Sequence, residues 1–153
     1  MKLTEILPET LVIPSLKGQT KDEVLRELAE CMAAAHPEVE AGRLLDVLWE
    51  RERLGSTAIG DGIAIPHGKL PGLKTVLAAF GRHLQGVDFQ SLDGNPSKLF
   101  FLLVAPEDSV GQHLKALARV SRLLKDPAFR NRLLTAHDRG EVYRNIREED
   151  DKY

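Results

Sequence analysis

Gly55-Ser56-Thr57-Ala58-Ile59-Gly60-Asp61-Gly62-Ile63-Ala64-Ile65-Pro66-His67-Gly68 is the stretch that decides the fold. Four glycines and one proline interrupt it, so no helix runs through, and Ile63-Ala64-Ile65 is too short for anything but a strand. His67 follows that strand and the rigid Pro66, and Gly68 then lets the chain turn away without side-chain crowding. This places an imidazole at the carboxyl end of a strand, where α/β proteins put their sites. Spacing alone leaves a second reading open, a turn histidine hydrogen-bonded locally.

The sequence on either side alternates strand and helix signals. Leu11-Val12-Ile13 before Pro14 reads as a short first strand. Thr20-Lys21-Asp22-Glu23 is a capping box, and the helix it opens carries Val24, Leu25, Leu28, Ala29 and Met32 on one face before stopping near His36-Pro37. A second helix, from about Ala41, carries Leu44, Leu45 and Leu48 and ends where Gly55 serves as cap. Thr75–His83 and Lys98–Val104 read as two further strands, the second apolar on both faces and therefore central. Ser109-Val110-Gly111-Gln112 is a second capping box, Asp126-Pro127 restarts a helix, and Asp138 with Glu141 opens a last one through Val142, Tyr143 and Ile146. Arg147–Tyr153 is expected to be a charged, frayed tail. No repeat, low-complexity segment or linker interrupts residues 1–153, so the reading is one α/β domain.

Composition excludes several functions. The chain has 153 residues, 42% apolar and 29% charged, enough for a core without disulfides. Its 21 Lys and Arg against 23 Asp and Glu lack the basic excess of a nucleic-acid binder. A single cysteine, Cys31, excludes a disulfide framework and a cysteine-cluster zinc site. The longest apolar run, Leu99–Ala105, is far short of a membrane span. Thr4 and Glu5 after Lys2 leave no apolar signal region, so a cytoplasmic protein without membrane insertion is expected.

The glycines fit neither nucleotide-binding pattern. Gly60-Asp61-Gly62 meets Ile65 where a third glycine is needed, and Pro66 forbids the following helix. Gly68-Lys69 has Ile63 where the first glycine should stand and Leu70 for the required hydroxyl residue. The histidines at 36, 67, 83, 113 and 137 show no metal-ligand spacing. His113 falls in the opening turns of its helix, where free N–H groups and the dipole favour an anion. A histidine there suits a role facing an anionic group, with a plain solvent-facing residue as the alternative. Arg51 continues the stripe of Leu44 and Leu48 toward the core margin, whereas Arg53 follows Trp49 on another face. An arginine at that margin offers a fork of donors to a phosphate.

The run from Arg51 to Gly68, with Gln112-His113-Leu114 downstream, strongly resembles the fructose/mannitol-type enzyme IIA proteins of the phosphotransferase system. It is most similar to their stand-alone nitrogen-related branch, on Gly55-Ser56-Thr57 and the Pro66–Leu70 run, and the resemblance extends from Leu3 to Ile146. Ala58 occupies a variable position and the Arg147–Tyr153 tail is unremarkable. The resemblance implies a mixed, about five-stranded sheet with helices on both faces. It implies phosphorylation of His67 at Nε2, with Arg51 and His113 lining the same site. It also implies an HPr-like phosphoryl donor, no cofactor and no metal, and either regulatory targets or a separate IIB protein as recipient.

Elementary chemistry is consistent with that role. Neutral imidazole is a nucleophile near neutral pH without an auxiliary base, and phosphate on nitrogen keeps the transfer potential a relay needs. The transferring oxygens need cations and donors, expected from Arg51, His113 and the helix start at Ser109, with Ser56 and Thr57 as candidate hydroxyl donors. Two other readings compete with the regulatory phosphocarrier. One is a sugar-specific IIA serving a separate IIB, and the other a binding module whose His67 is never phosphorylated.

Overall fold

The apolar run centred on Leu99–Ala105 lies at the middle of the structure, as its two-faced hydrophobicity requires. The computed structural model describes residues 1–153 and contains six strands: β1 (Val12–Ile13), β2 (Ala58–Gly60), β3 (Ile63–Ala64), β4 (His67–Leu70), β5 (Leu77–Val87) and β6 (Ser97–Pro106). Every residue of β6 except Lys98 is buried. The sheet is mixed, in the order β1-β5-β6-β3-β2, with β4 also beside β6. β5 runs antiparallel to β6, whereas β3 and β4 run parallel to it.

β3 and β4 share one register on β6. Ile63 faces Leu99, Ala64 faces Phe100, and after the break His67 faces Leu103 and Gly68 faces Val104. The two are therefore pieces of one extended path, interrupted at Ile65-Pro66. Proline has no N–H for the ladder, but its fixed φ suits extended chain, and its carbonyl still accepts from Leu103 N at 3.0 Å. This split raises the strand count from the expected five to six.

It also corrects the local reading: His67 stands within the parallel path, not at a strand's carboxyl end, and the chain does not turn at Gly68. Glycine is required there for another reason. A Cβ at residue 68 would lie 2.5 Å from Val47 Cγ1. The missing side chain lets the second helix approach the strand that carries His67.

The helices are α1 (Lys21–Ala35), α2 (Ala41–Arg53), α3 (Val110–Leu124), α4 (Pro127–Thr135) and α5 (Arg139–Asp150). α1 and α2 pack together and against β5 and β4, while α3 packs on β6, α4 on α3 and α5, and α5 on β1. These two groups cover the sheet. Caps fall where the sequence places them: Thr20 Oγ1 accepts from Glu23 N at 3.1 Å, Asp126 from Ala128 N at 2.9 Å and Asp138 from Glu141 N at 2.8 Å. Ser109 is the exception, because its side chain makes no capping bond.

The carboxyl end departs most from expectation. α5 continues through Asp150, and Glu149 and Asp150 are fully buried, so the segment is docked and not frayed. Asp150 accepts from Thr4 N at 3.1 Å and from Arg119 Nε at 2.8 Å, while its backbone carbonyl takes Lys2 Nζ and Arg119 Nη2. Arg132 and Lys152 pair with Glu149 at 2.9 and 3.0 Å. A charged segment reads as solvated until its partners, distant in sequence, are known.

Gly68→Ala should destabilise the fold by about 1–3 kcal/mol through overpacking. Val47→Ala in the same chain should recover most of that loss, as a denaturant-unfolding mutant cycle would measure. Burial opposes charge on Asp150, but the Leu3 and Thr4 N–H groups and Arg119 outweigh it and hold the carboxyl below its usual range. A depressed folded value stabilises fully above the unfolded carboxylate range and loses that contribution as pH falls through the folded value. Asp150→Asn should therefore cost about 1–3 kcal/mol at neutral pH and flatten the acid limb of the stability curve.

Candidate functional site

The Ile65-Pro66 break has a chemical consequence at the next residue. His67 Nδ1 lies 2.7 Å from the carbonyl oxygen of Ile65. A carbonyl only accepts, so Nδ1 carries the proton and Nε2 is left with its lone pair free. Burial lowers the His67 pKa from its ordinary value, opposed by the Ile65 bond, with Arg51 lowering it further and Glu52 raising it. The ring is therefore neutral near pH 7, with Nε2 as its basic, nucleophilic atom.

His113 comes from α3, and its ring centroid lies 5.4 Å from that of His67 with the planes tilted by 57°. It is 7% exposed, and its Nδ1 is buried with no hydrogen-bond partner. Burial first, then His67 and Lys69, push its pKa down. The two imidazoles thus pack side by side in the lining of a cleft of about 610 Å³.

Arg51 reaches the same cleft from the last turn of α2, where it donates from Nη1 to Gly55 O at 2.8 Å. Arg53 is exposed and takes no part in the lining, so helical periodicity separates the two arginines as expected. The structure also brings in Arg43, Val47 and Glu50, which with Arg51 form one face of α2, and Leu54, the residue that caps its carboxyl end. Lys69, two residues beyond His67, adds a further cation. None of these was expected from the sequence, although positions 43, 47, 50 and 54 repeat at helical spacing around Arg51.

Ser56 and Thr57 are not brought to the cleft. Ser56 Oγ donates to Phe89 O at 2.7 Å, and the buried Thr57 hydroxyl is bonded to the Glu52 carboxylate. Ser109 is also absent from the lining; α3 reaches the cleft through His113, Leu114 and Leu117. Glu52, one residue past Arg51, points inward and pairs with buried Lys21 Nζ at 2.9 Å. The available signal was its place four residues after Leu48 on the buried stripe.

A nucleophilic ring nitrogen, a second imidazole and nearby cations suit transfer of an anionic group without a nucleotide-cradling loop. Comparison with known proteins agrees with the topology. Residues 5–149 match the family model described as the phosphoenolpyruvate-dependent sugar phosphotransferase system, EIIA 2. A nitrogen regulatory protein of Bradyrhizobium diazoefficiens is 42% identical over 143 residues, covering 94% of this chain and 93% of that protein. The fructose-specific EIIABC component of Bacillus subtilis is 35% identical over 150 residues, covering 98% of this chain but 24% of that longer protein. The crystal structure of nitrogen regulatory protein IIA-Ntr from Neisseria meningitidis superposes with a TM-score of 0.87 at 30% identity, covering 94% of this chain and 98% of that one. No helix of this structure is long and apolar enough to cross a membrane. With its mixed sheet and near-full-length matches, this chain belongs to the EIIA type-2 family of the phosphotransferase system and is similar to the nitrogen regulatory IIA proteins within it.

Proposed function

We propose that this protein is a phosphocarrier that accepts a phosphoryl group on His67 Nε2 from an HPr-like phosphohistidine and acts as a nitrogen-related regulator. The observation that carries this reading is the bond from His67 Nδ1 to Ile65 O, because it leaves Nε2 unprotonated on a ring that lines the same cleft as Arg51 and Lys69. In the transfer the donor's phosphorus–nitrogen bond breaks as the bond to Nε2 forms. The proton on Nδ1 stays in place, held by a carbonyl suited to the positive charge that develops on the ring. Arg51 and His113, which line the same cleft as His67, would meet the transferred oxygens, and the arriving negative charge favours a protonated His113. The transfer consumes no metal or nucleotide, and the released donor nitrogen recovers its lone pair.

Similarity to nitrogen regulatory proteins over nearly their whole length favours the regulatory reading. A phosphoryl group adds up to two negative charges beside exposed Leu54 and Leu114, so a partner resting on this rim would discriminate between the two states. The match to one segment of a fructose-specific EIIABC component supports a second reading, in which phosphate passes from His67 to a IIB protein.

Incubation with phosphoenolpyruvate, enzyme I and an HPr-like carrier should add one acid-labile, alkali-stable phosphoryl group. His67→Ala should abolish the label with an unchanged circular dichroism spectrum, and retained stoichiometric labelling would refute the assignment. Arg51→Ala should slow transfer at least about tenfold more than Arg53→Ala, a cautious fraction of what one preorganised donor contributes. Stopped-flow or quench kinetics on both variants would measure this, and equal rates would remove Arg51 from the transfer.

A further inference from the structure

Ile65 stands opposite Thr57, one step beyond the Ala58–Ala64 pair in the antiparallel β2–β3 ladder. Residues in a hydrogen-bonded antiparallel pair normally exchange two bonds, N–H to carbonyl in each direction. Here only one is made: Ile65 N donates to Thr57 O at 3.1 Å. The Thr57 N–H turns instead to Glu52 Oε1, also at 3.1 Å, and the Thr57 hydroxyl is bonded to the other carboxylate oxygen. The Ile65 carbonyl, left without the Thr57 N–H, takes the His67 Nδ1 proton. Pro66 has no N–H to compete for a neighbouring acceptor.

Glu52 is itself held in place. Its side chain is 1% exposed, and Lys21 Nζ approaches Oε1 at 2.9 Å. Lys21 is fixed by Gln90 Oε1 at 3.0 Å and by the faces of Phe89 and Trp49. A buried ion pair of this kind is weak evidence for stability, since apolar replacements of like size often serve as well. Its geometry suggests a directional role.

We propose that Glu52, oriented by Lys21, is a positioning residue for His67: it diverts the Thr57 N–H from the β2–β3 ladder, frees the Ile65 carbonyl for Nδ1, and so fixes Nε2 as the attacking atom. Glu52 does not line the cleft and makes no hydrogen bond to His67; beyond the charge with which it raises the His67 pKa, it positions the ring through Thr57 and Ile65. The inference deepens the phosphocarrier reading and rests on it for its purpose, but the tautomer can be measured without any phosphoryl transfer.

In the wild-type protein, NMR coupling across hydrogen bonds should connect the Thr57 amide nitrogen to the Glu52 side-chain carboxyl carbon. Coupling to the Ile65 carbonyl carbon instead would overturn the proposal without any variant. Long-range nitrogen–proton spectra should place the His67 proton on Nδ1. Replacing both charges, in Lys21→Met with Glu52→Leu, avoids stranding a buried ion and should populate the Nε2–H tautomer. The same double variant should slow transfer at least about tenfold, as expected when a catalytic imidazole presents the wrong nitrogen. Lys21→Met with Glu52→Gln keeps an acceptor for Thr57 and should restore both the Nδ1–H signal and most of the rate. An unchanged tautomer in the folded leucine variant, or no rescue by glutamine, would overturn the positioning role. A shifted tautomer alongside a wild type that takes no phosphoryl group would support it and retire the phosphocarrier reading.

Discussion

The hydrogen bond from His67 Nδ1 to the Ile65 carbonyl is the contact on which the rest of the site depends. It is a two-residue loop-back within one extended path that keeps its register on β6 through Pro66, and the carbonyl is open to it because the Thr57 N–H goes to Glu52. A continuous strand would commit the same carbonyl to its neighbour, and a true turn would carry the imidazole away from the sheet. The bond sets the tautomer, and burial keeps the ring neutral. A nucleophile at neutral pH follows from these two facts with no partner base.

The remaining architecture brings other groups into the cleft that His67 lines. Gly68 permits α2 to approach until Val47 touches the strand, and Arg51 then reaches the cleft from the last turn of that helix. α3 packs against β6 and brings the His113 ring centroid to 5.4 Å from that of His67. Arg43, Arg51 and Lys69 line the cleft beside His67, while the hydroxyls of Ser56 and Thr57 are committed to holding the loop between α2 and β2. The cleft therefore relies on guanidinium, ammonium and imidazole groups, which suit an anion that must also be able to leave.

Much of this is legible in the sequence, for physical reasons that differ by residue. The central strand declares itself because seven consecutive apolar residues need two covered faces, and Arg51 parts from Arg53 because a helix turns about 100° per residue. His67 stands out in the sequence, but its setting does not: Pro66-His67-Gly68 has the composition of a turn, and only the pairing with Leu103 and Val104 reveals that the register of β3 resumes after the break. Ser109 has the sequence of a cap without the bond. Glu52 with Lys21, and Asp150 with Thr4 and Arg119, are hidden because buried charge is recognised by its partner, and those partners lie far along the chain.

The atom that takes the phosphoryl group in the proposed transfer is the most direct measure of how the Ile65 bond shapes the nucleophile. Nitrogen-15 NMR of histidine-labelled protein, phosphorylated and observed through the phosphorus–nitrogen coupling, identifies that atom at His67. A tautomer fixed by Ile65 requires coupling at Nε2 with the proton retained on Nδ1. Phosphorus on Nδ1 would mean that the Ile65 bond breaks before transfer and does not select the attacking nitrogen.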